Sequence, residues 1–471
     1  MKLTVTFEPM ELQICGAAQT VTGSCHLLTL ENNFKILLDC GLYQGHEDDF
    51  ENFNEKWLFN PSEIDVLVLS HAHIDHAGRI PKLMKDGFKG RIICTSATRD
   101  LSTIMLLDSA HIQESDAEYE AKKKRKNIKP LYTKEDVKKC LNQFICVEYN
   151  NWFSLNKDTE VMFTDAGHIL GSAAVTLRIH ENNKEIMFGF SGDVGRYNRP
   201  ILKDPFPMPL LDYLICESTY GGVIHEETPE SDEHFLQIIK NTCVVNRGKV
   251  LIPAFSVGRT QELLHRLDKL YTEGKLGNIP VYVDSPLAIN ATEIFILHPE
   301  CFDEDLYKFL ETDTNPFGWN NMKYIRTVEE SKALNISEEP CIIIASSGMA
   351  NAGRIKHHID NQIEKKENTI LIVGYCAEGT LGQQLIQKPE TVRIYGKEKK
   401  VNAGIEVLSS FSAHADEPEL LQFISNQNKN KLQKIFLVHG EPKRQSALKL
   451  SLLNQQFKSI EIPKLGETFQ L

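Results

Sequence analysis

The sequence has no run of 18 or more apolar residues, so it offers no transmembrane helix. Its opening, Met1 to Met10, lacks the basic start and apolar block of a signal peptide. No CxxC pair occurs among its eleven cysteines, and their count is odd. Most sit in apolar, strand-like contexts, such as Cys341 before Ile342. They read as reduced core thiols of a cytoplasmic protein. Internal repeats and low-complexity tracts are absent. Positive charge is also in deficit, with 52 Lys and Arg against 64 Asp and Glu, a net of −12. That balance argues against a nucleic-acid partner, which usually meets a basic patch. It is a whole-chain average, however. It counts carboxylates that metal ions would neutralise, and so leaves room for a local basic groove.

What is present is an ordinary globular composition, 41% hydrophobic and 25% charged. Such a composition excludes collagen-like, mucin-like and broadly disordered chains. At 471 residues the expectation is two to four domains. The first 220 residues read as many short strands with occasional helices near Pro81–Lys85, Thr98–Glu120 and Thr133–Asn142. The run KKKRK, Lys122 to Lys126, reads as a solvated helix end or as an RNA-facing patch. From about Pro229 the texture changes to four strand–loop–helix units. They are Lys249–Ala254 with Ser256–Tyr271, Val281–Val283 with Ser285–Leu297, Cys341–Ala345 with Ser346–Ile363, and Thr369–Val373 with Gly374–Ile386. Such a succession predicts a parallel sheet with helices on its faces and ligands beyond the carboxyl ends of its strands. The loops there carry Ser256, Arg259, Asp284, Ser285, Ser346, Ser347, Arg354, Tyr375 and Glu378. After Gly404 short strands with polar ends return at Ile405–Ser409 and Lys434–Val438. One domain is therefore expected to interrupt another.

The densest chemistry lies in Ser70–Gly78, SHAHIDHAG, directly after the apolar run VLVL. Three imidazoles and a carboxylate in six residues suit a zinc site. Five other apolar runs also end in ligand-type or acid–base residues: Asp39 after KILL, His168 after VMFTDAG, Asp193 after MFGFSG, Glu217 after YLIC and His439 after KIFLV. Strand ends on one sheet edge converge in space. The candidate ligands are thus His71, His73, Asp75, His76, His168, Asp193 and His439. Seven ligands suit two metals sharing a carboxylate, an arrangement that fits phosphoester displacement.

Together with Asp39 and SHAHIDHAG, the segments GHILGS (Gly167–Ser172), SGDVG (Ser191–Gly195), ESTYG (Glu217–Gly221), FSAHAD (Phe411–Asp416) and LVHGE (Leu437–Glu441) resemble the metallo-β-lactamase/β-CASP nucleases. The branch most resembled is the nuclease subunit of the cleavage-and-polyadenylation machinery and its prokaryotic relatives. Its features include the opening GAAQTVTGSCHLL (Gly16–Leu28), PAFSVGRTQELL (Pro253–Leu264), DSPLA (Asp284–Ala288), SSGM (Ser346–Met349) and GYCAEGTLG (Gly374–Gly382). The resemblance implies an α/β architecture, an αββα metallo-β-lactamase sandwich interrupted by a parallel-sheet β-CASP domain. The expected bounds are 1–220 and 408–471 for the sandwich and 221–407 for the insert. It also implies two zinc ions per chain. His71, His73 and His168 would hold one, Asp75, His76 and His439 the other, with Asp193 bridging and Asp39 orienting a ligand histidine. Glu217 would pair with His414. Ser346, Ser347, Gly348, Arg259, Arg354 and Ser412 would meet the substrate. Gln383 departs from the basic residue common in relatives, so one phosphate contact is not carried over.

The implied enzyme is a zinc-dependent hydrolase of single-stranded RNA, an endonuclease with exonuclease trimming left open. Hydroxide held by the metals, with Asp75 and Asp193, attacks phosphorus, and His414 protonates the leaving 3′ oxygen to give 5′-phosphate ends. Alternatives are a small-molecule hydrolase, which shares the HxHxDH cluster, a DNA nuclease of the same superfamily, and a non-enzymatic subunit. The insert and the His414/His439 pair weigh against the first. His439 weighs against the second, and the filled ligand positions against the third. No membrane partner is expected, and a homodimer is left open.

Overall fold

The computed structural model describes residues 9–44, 52–124, 129–225, 231–374, 376, 379–408 and 412–471. Arg125 and Lys126 of the basic run, Tyr375 and Glu378 of the loop set, and Phe411 of FSAHAD lie outside them. The described chain divides into two units. One comprises residues 1–199, 203–224 and 414–471, and the other residues 200–202 and 225–413.

The first unit holds two seven-stranded sheets. One runs in the order Thr468–Gln470, Glu11–Ile14, His26–Thr29, Lys35–Leu38, Val66–Val68, Arg91–Cys94, Phe144–Cys146. The other runs Ile460–Glu461, Lys434–Val438, Tyr213–Glu217, Lys184–Phe190, Ala173–Glu181, Thr159–Asp165, Phe153–Ser154. Alternation of side chains along each strand gives both sheets an inner face. Leu12, Ile36 and Val68 from one pack with Phe163, Val175, Phe188 and Phe436 from the other in a single core. The outer face of the first sheet buries Leu37, Leu67 and Ile92 with Leu83, Leu106 and Val137 of its helices. The outer face of the second buries Leu214 and Leu437 with Leu420 and Leu448. The result is an αββα sandwich.

The second unit is built on a six-stranded sheet, Met322–Tyr324, Val281–Val283, Ile342–Ala345, Val250–Pro253, Thr369–Val373, Gly404–Leu408, with all neighbours parallel. Its central strands are buried on both faces, as the uninterrupted run Ile342–Ala345 requires. Two details differ from the sequence reading. The texture of Ile405–Ser409 reads like that of the returning strands although the expected insert extends to residue 407; the strand there, Gly404–Leu408, pairs parallel with Thr369–Val373 and closes this sheet. The helices after Ile342–Ala345 and Thr369–Val373 start late, at Gly353 and Leu381. Polar loops intervene, and Thr380 caps the second helix by accepting from Gln383 N. Among the described residues no helix is long and apolar enough to cross a membrane.

Candidate metal centre

The centre is built where the first unit's strands end. Strand Lys35–Leu38 delivers Asp39, and strand Lys434–Val438 delivers His439. Both residues take left-handed backbone conformations, φ 58° and 50°, uncommon for residues with a Cβ. The turn re-aims the side chain as the strand stops, and backbone tension of this kind clusters at working sites. After strand Val66–Val68 the chain passes Ser70 and His71 and enters the one-turn helix Ile74–Ala77, which carries Asp75 and His76. Gly41 lets that helix approach, because a Cβ there would lie 1.6 Å from Asp75 O. Gly195 does the same for the His168 loop, where a Cβ would lie 1.9 Å from Gly167 O.

The donors fall in adjoining groups: His71, His73, His168 and Asp193; Asp75, His76 and His439; and Asp193, Glu217 and His414. In the first, His73 Nδ1 lies 3.1 Å from His71 Nε2 and 3.2 Å from His168 Nε2. Asp193 Oδ2 lies 3.5 and 3.6 Å from those same Nε2 atoms. Four ligands around a tetrahedral cation with bonds of about 2.0–2.1 Å stand about 3.3 Å apart, so these edges fit such an ion. The same Oδ2 is 3.2 Å from His76 Nε2 in the second group. There His439 lies 3.5 Å from Asp75 Oδ2 through Nε2 and 3.5 Å from Asp193 Oδ1 through Nδ1. One carboxylate oxygen thus faces both groups.

His71, His76, His168, Asp193 and His439 are all buried, yet among the described residues His76 Nε2, His439 Nε2 and Asp193 Oδ1 make no well-directed hydrogen bond. Buried polar atoms left this way are costly unless something else satisfies them. Metal cations fit this donor set. Burial lowers the His73 pKa to about 4 and that of His71 further below its ordinary value. It thereby keeps both imidazoles in the neutral, ligating form. For His76 burial opposes protonation, but Asp193, Asp39 and Asp75 together raise its pKa well above the ordinary value.

Three of the rings are held from behind. His76 Nδ1 meets Asp39 Oδ2 at 2.6 Å. That carboxylate in turn accepts from Ser24 Oγ, Ser70 N and Ser70 Oγ at 3.2, 2.8 and 2.9 Å. Ser70 Oγ lies 3.1 Å from His71 Nδ1, and Thr219 Oγ1 lies 3.1 Å from His439 Nδ1. Sequence reasoning named Asp39 but missed Ser24, Ser70 and Thr219. All three stand inside quoted motifs, which was the available signal. It also passed over His26, wholly buried edge-on to Phe190 and kept neutral mainly by burial, with a pKa of about 3.

Glu217 and His414 form a separate acid–base pair. His414 Nδ1 is 3.3 Å from Glu217 Oε1 and 4.0 Å from Asp193 Oδ2. Glu217 is fixed by Val194 N, which donates to Oε1 at 2.6 Å. Burial works against protonating His414, and the Glu217 and Asp193 carboxylates overcome it, raising the pKa to about 9. His414 can therefore hold a proton beside the metal groups.

The expected substrate residues belong to the second unit. Ser346 Oγ is 2.9 Å from Ser285 Oγ, which is 3.2 Å from Ser256 Oγ. Ser347 Oγ donates to Ala352 O at 3.5 Å, and Gly348 packs against the Phe255 ring. The two arginines are engaged with carboxylates: Arg259 with Glu262, and Arg354 Nη1 with Asp284 Oδ1 at 2.5 Å. Ser412 is buried.

Three family models match the chain. They are a metallo-beta-lactamase superfamily domain over residues 27–191, a Beta-Casp domain over 260–385, and a Zn-dependent metallo-hydrolase RNA specificity domain over 398–463. The chain is 35% identical to "Ribonuclease TTHA0252" of Thermus thermophilus over 96% of its own length and 98% of that protein. It is 33% identical to "Transcription termination factor FttA" of Methanocaldococcus jannaschii over 92% of this chain and 67% of that one. It is 31% identical to "Cleavage and polyadenylation specificity factor 73" of Drosophila melanogaster over 94% and 61%. A solved structure of a protein of unknown function from Enterococcus faecalis V583 shares the fold, with TM-score 0.54, 12% identity and coverage of 98% of this chain and 100% of that one.

Proposed function

The chain belongs to the β-CASP branch of the metallo-β-lactamase superfamily, a family of metal-dependent hydrolases, and on that footing we propose that it is a di-zinc endoribonuclease acting on single-stranded RNA in the cytoplasm. The observation that carries the reading is the shared Asp193 Oδ2 between two donor groups, with the His414–Glu217 pair beside it. The relative named a ribonuclease and the RNA specificity model over residues 398–463 support RNA as substrate.

Two zinc ions bound to these donors would supply an acidified water and positive charge for the phosphate oxygens. The chain's own residues do the rest. Asp39 takes the Nδ1 proton of His76 in a hydrogen bond, which fixes the tautomer and leaves Nε2 free to ligate. Ser70 and Thr219 restrain His71 and His439 in the same way. Glu217 accepts from His414 Nδ1, which leaves the Nε2 proton as the one given to the departing 3′ oxygen. Protonation there yields a 3′-hydroxyl and a 5′-phosphate. No 2′-hydroxyl is needed for the chemistry.

The test uses purified protein on end-labelled single-stranded RNA and matched DNA, with and without chelator, and maps the product ends. Chelator-sensitive cleavage of RNA leaving 5′-phosphates is expected, and a single 2′-deoxy substitution at the cut site should still be cut. A cyclic 2′,3′-phosphate product, or complete resistance of the 2′-deoxy substrate, overturns the mechanism. Preferential cleavage of the DNA overturns the substrate.

A further inference from the structure

All eleven cysteines are free thiols, ten of them buried, and Cys146 is exposed. Cys146 ends the edge strand Phe144–Cys146 and pairs in parallel register with Cys94, the last residue of Arg91–Cys94. Register partners in a parallel ladder present their side chains on the same face. The two thiols are therefore neighbours across the ladder. The helix Ser96–Lys124 begins just beyond Cys94, with Ser96 and Arg99 in its first turn.

We propose that Cys146 and Cys94 are a peroxide-sensitive thiol pair, Cys146 reacting first and Cys94 resolving it as a cross-strand disulfide. The environments divide the roles. The adjoining Cys94 thiol is the main cause that brings the Cys146 pKa to about 6, with burial opposing and Ser96 and Arg99 assisting. Burial instead pushes the Cys94 thiol well above its ordinary value. Cys146 is thus the nucleophilic thiolate near neutral pH, and Cys94 keeps its proton. Cys146 sulfur attacks one oxygen of hydrogen peroxide. The S–O bond forms, the O–O bond breaks, and hydroxide leaves and is protonated to water. Cys94 sulfur then attacks Cys146 sulfur. The S–S bond forms, the S–O bond breaks, and the departing hydroxide takes the Cys94 proton. Two thiols and one peroxide become one disulfide and two waters.

Neighbouring strands are spaced about 4.8 Å apart, inside the range of about 4.4–6.8 Å that separates the Cα atoms of a disulfide, so register partners can be bridged without a large shift of the strands. Thr95, next to Cys94, donates from Oγ1 to Gly171 O at 2.7 Å, and Thr98 Oγ1 donates to the same oxygen at 2.8 Å. Gly171 belongs to the loop that carries His168. The hydrogen bonds of Thr95 and Thr98 thus tie the neighbourhood of the thiol pair to that loop.

The proposal is tested on the zinc-loaded full chain by brief treatment with hydrogen peroxide at neutral pH, then intact-mass measurement and peptide mapping. The wild type should lose the mass of two hydrogens, yield one peptide linked through Cys94 and Cys146, and return to the starting mass with dithiothreitol. Cys94→Ser should instead accumulate oxygen on Cys146, and Cys146→Ser should leave residue 94 unmodified. Oxidation of another cysteine first, a linked peptide with a different partner, or oxygen retained on Cys146 in the wild type would each overturn it. The readout does not depend on the substrate.

Discussion

Each unit buries a cluster of histidine, carboxylate and hydroxyl groups at the ends of its strands, and the two differ in how their polar atoms are satisfied. In the second unit Asp284 follows strand Val281–Val283. Its Oδ2 meets His358 Nε2 at 2.7 Å and accepts from Ser331 Oγ at 2.5 Å, while Oδ1 accepts from Arg354. His358 Nδ1 meets Asn335 Oδ1 at 2.9 Å. Every polar atom of Asp284 and His358 side chains has a partner. Around Asp193 the same residue types crowd together, and among the described residues His76 Nε2, His439 Nε2 and Asp193 Oδ1 make no well-directed hydrogen bond. Residue type does not make a metal centre. Convergence of donors without partners does, because only a cation removes the cost of burying them.

The strongest attack on that contrast is Asp193→Ala. The change removes the oxygen that both donor groups face, so zinc content should fall and turnover should be lost entirely. Elemental analysis beside the cleavage assay decides it: a variant that keeps two zinc ions would mean that Asp193 does not bridge.

Next in size is His414→Ala, which should leave zinc content unchanged and lower turnover by about 10²–10⁴-fold, the usual scale for general acid catalysis. A general acid must be protonated, so wild-type turnover should fall as pH rises through the His414 pKa. In the metal-free arrangement the carboxylates hold that value at about 9, and bound cations draw it lower. The variant should lack this alkaline limb. Loss of one zinc instead would make His414 a ligand.

Asp39→Asn should be milder. The amide still occupies the pocket but no longer carries the charge that fixes His76, so zinc should bind about 10–100-fold more weakly. Competition with a chelator of known affinity measures this, and unchanged affinity would reduce Asp39 to a packing role.

The centre could be read from sequence to the extent that its donors follow apolar strands. Asp39, His71, Asp193, Glu217 and His439 each stand directly at or just beyond such a run, and one buried edge of a sandwich gathers them. What holds the rings was not readable in the same way. Ser24 reaches Asp39 from another strand end, and Thr219 reaches His439 across 220 residues of chain. Such pairings depend on register and loop closure, which local pattern does not carry. The same holds for the carboxylates beside Arg259 and Arg354, which the resemblance brings to the substrate: Glu262 lies one helical turn away from the first and the Asp284 loop meets the second. The expected insert bound of 407 takes in most of Gly404–Leu408, but the pairing of that strand was hidden for a related reason. A short apolar strand looks alike in either sheet, and only its parallel neighbour Thr369–Val373 decides.

The smallest effect at the metal centre should come from the other cluster, through Asp284→Ala. Burial pushes the Asp284 carboxyl up, and the hydrogen bonds from His358, Ser331 and Arg354 more than offset it, holding the pKa below its ordinary value. A depressed carboxylate contributes stability that is present above its unfolded pKa of about 3.9 and is lost as pH falls through the folded value. Removing it strands His358 in a wholly buried position and leaves the Arg354 guanidinium without its carboxylate. Breaking a buried pair from one side costs about 3–5 kcal/mol, and the low end applies because Arg354 retains Ile325 O and Arg326 O as acceptors. Urea unfolding of the zinc-loaded protein should therefore show a loss of about 3 kcal/mol, with less acid sensitivity than the wild type and two zinc ions still bound. Asp284→Asn keeps one acceptor oxygen and should lose less. If Asp284→Ala released zinc at neutral pH while still folded, the satisfied cluster would be supporting the metal centre, and hydrogen-bond satisfaction would no longer separate the two.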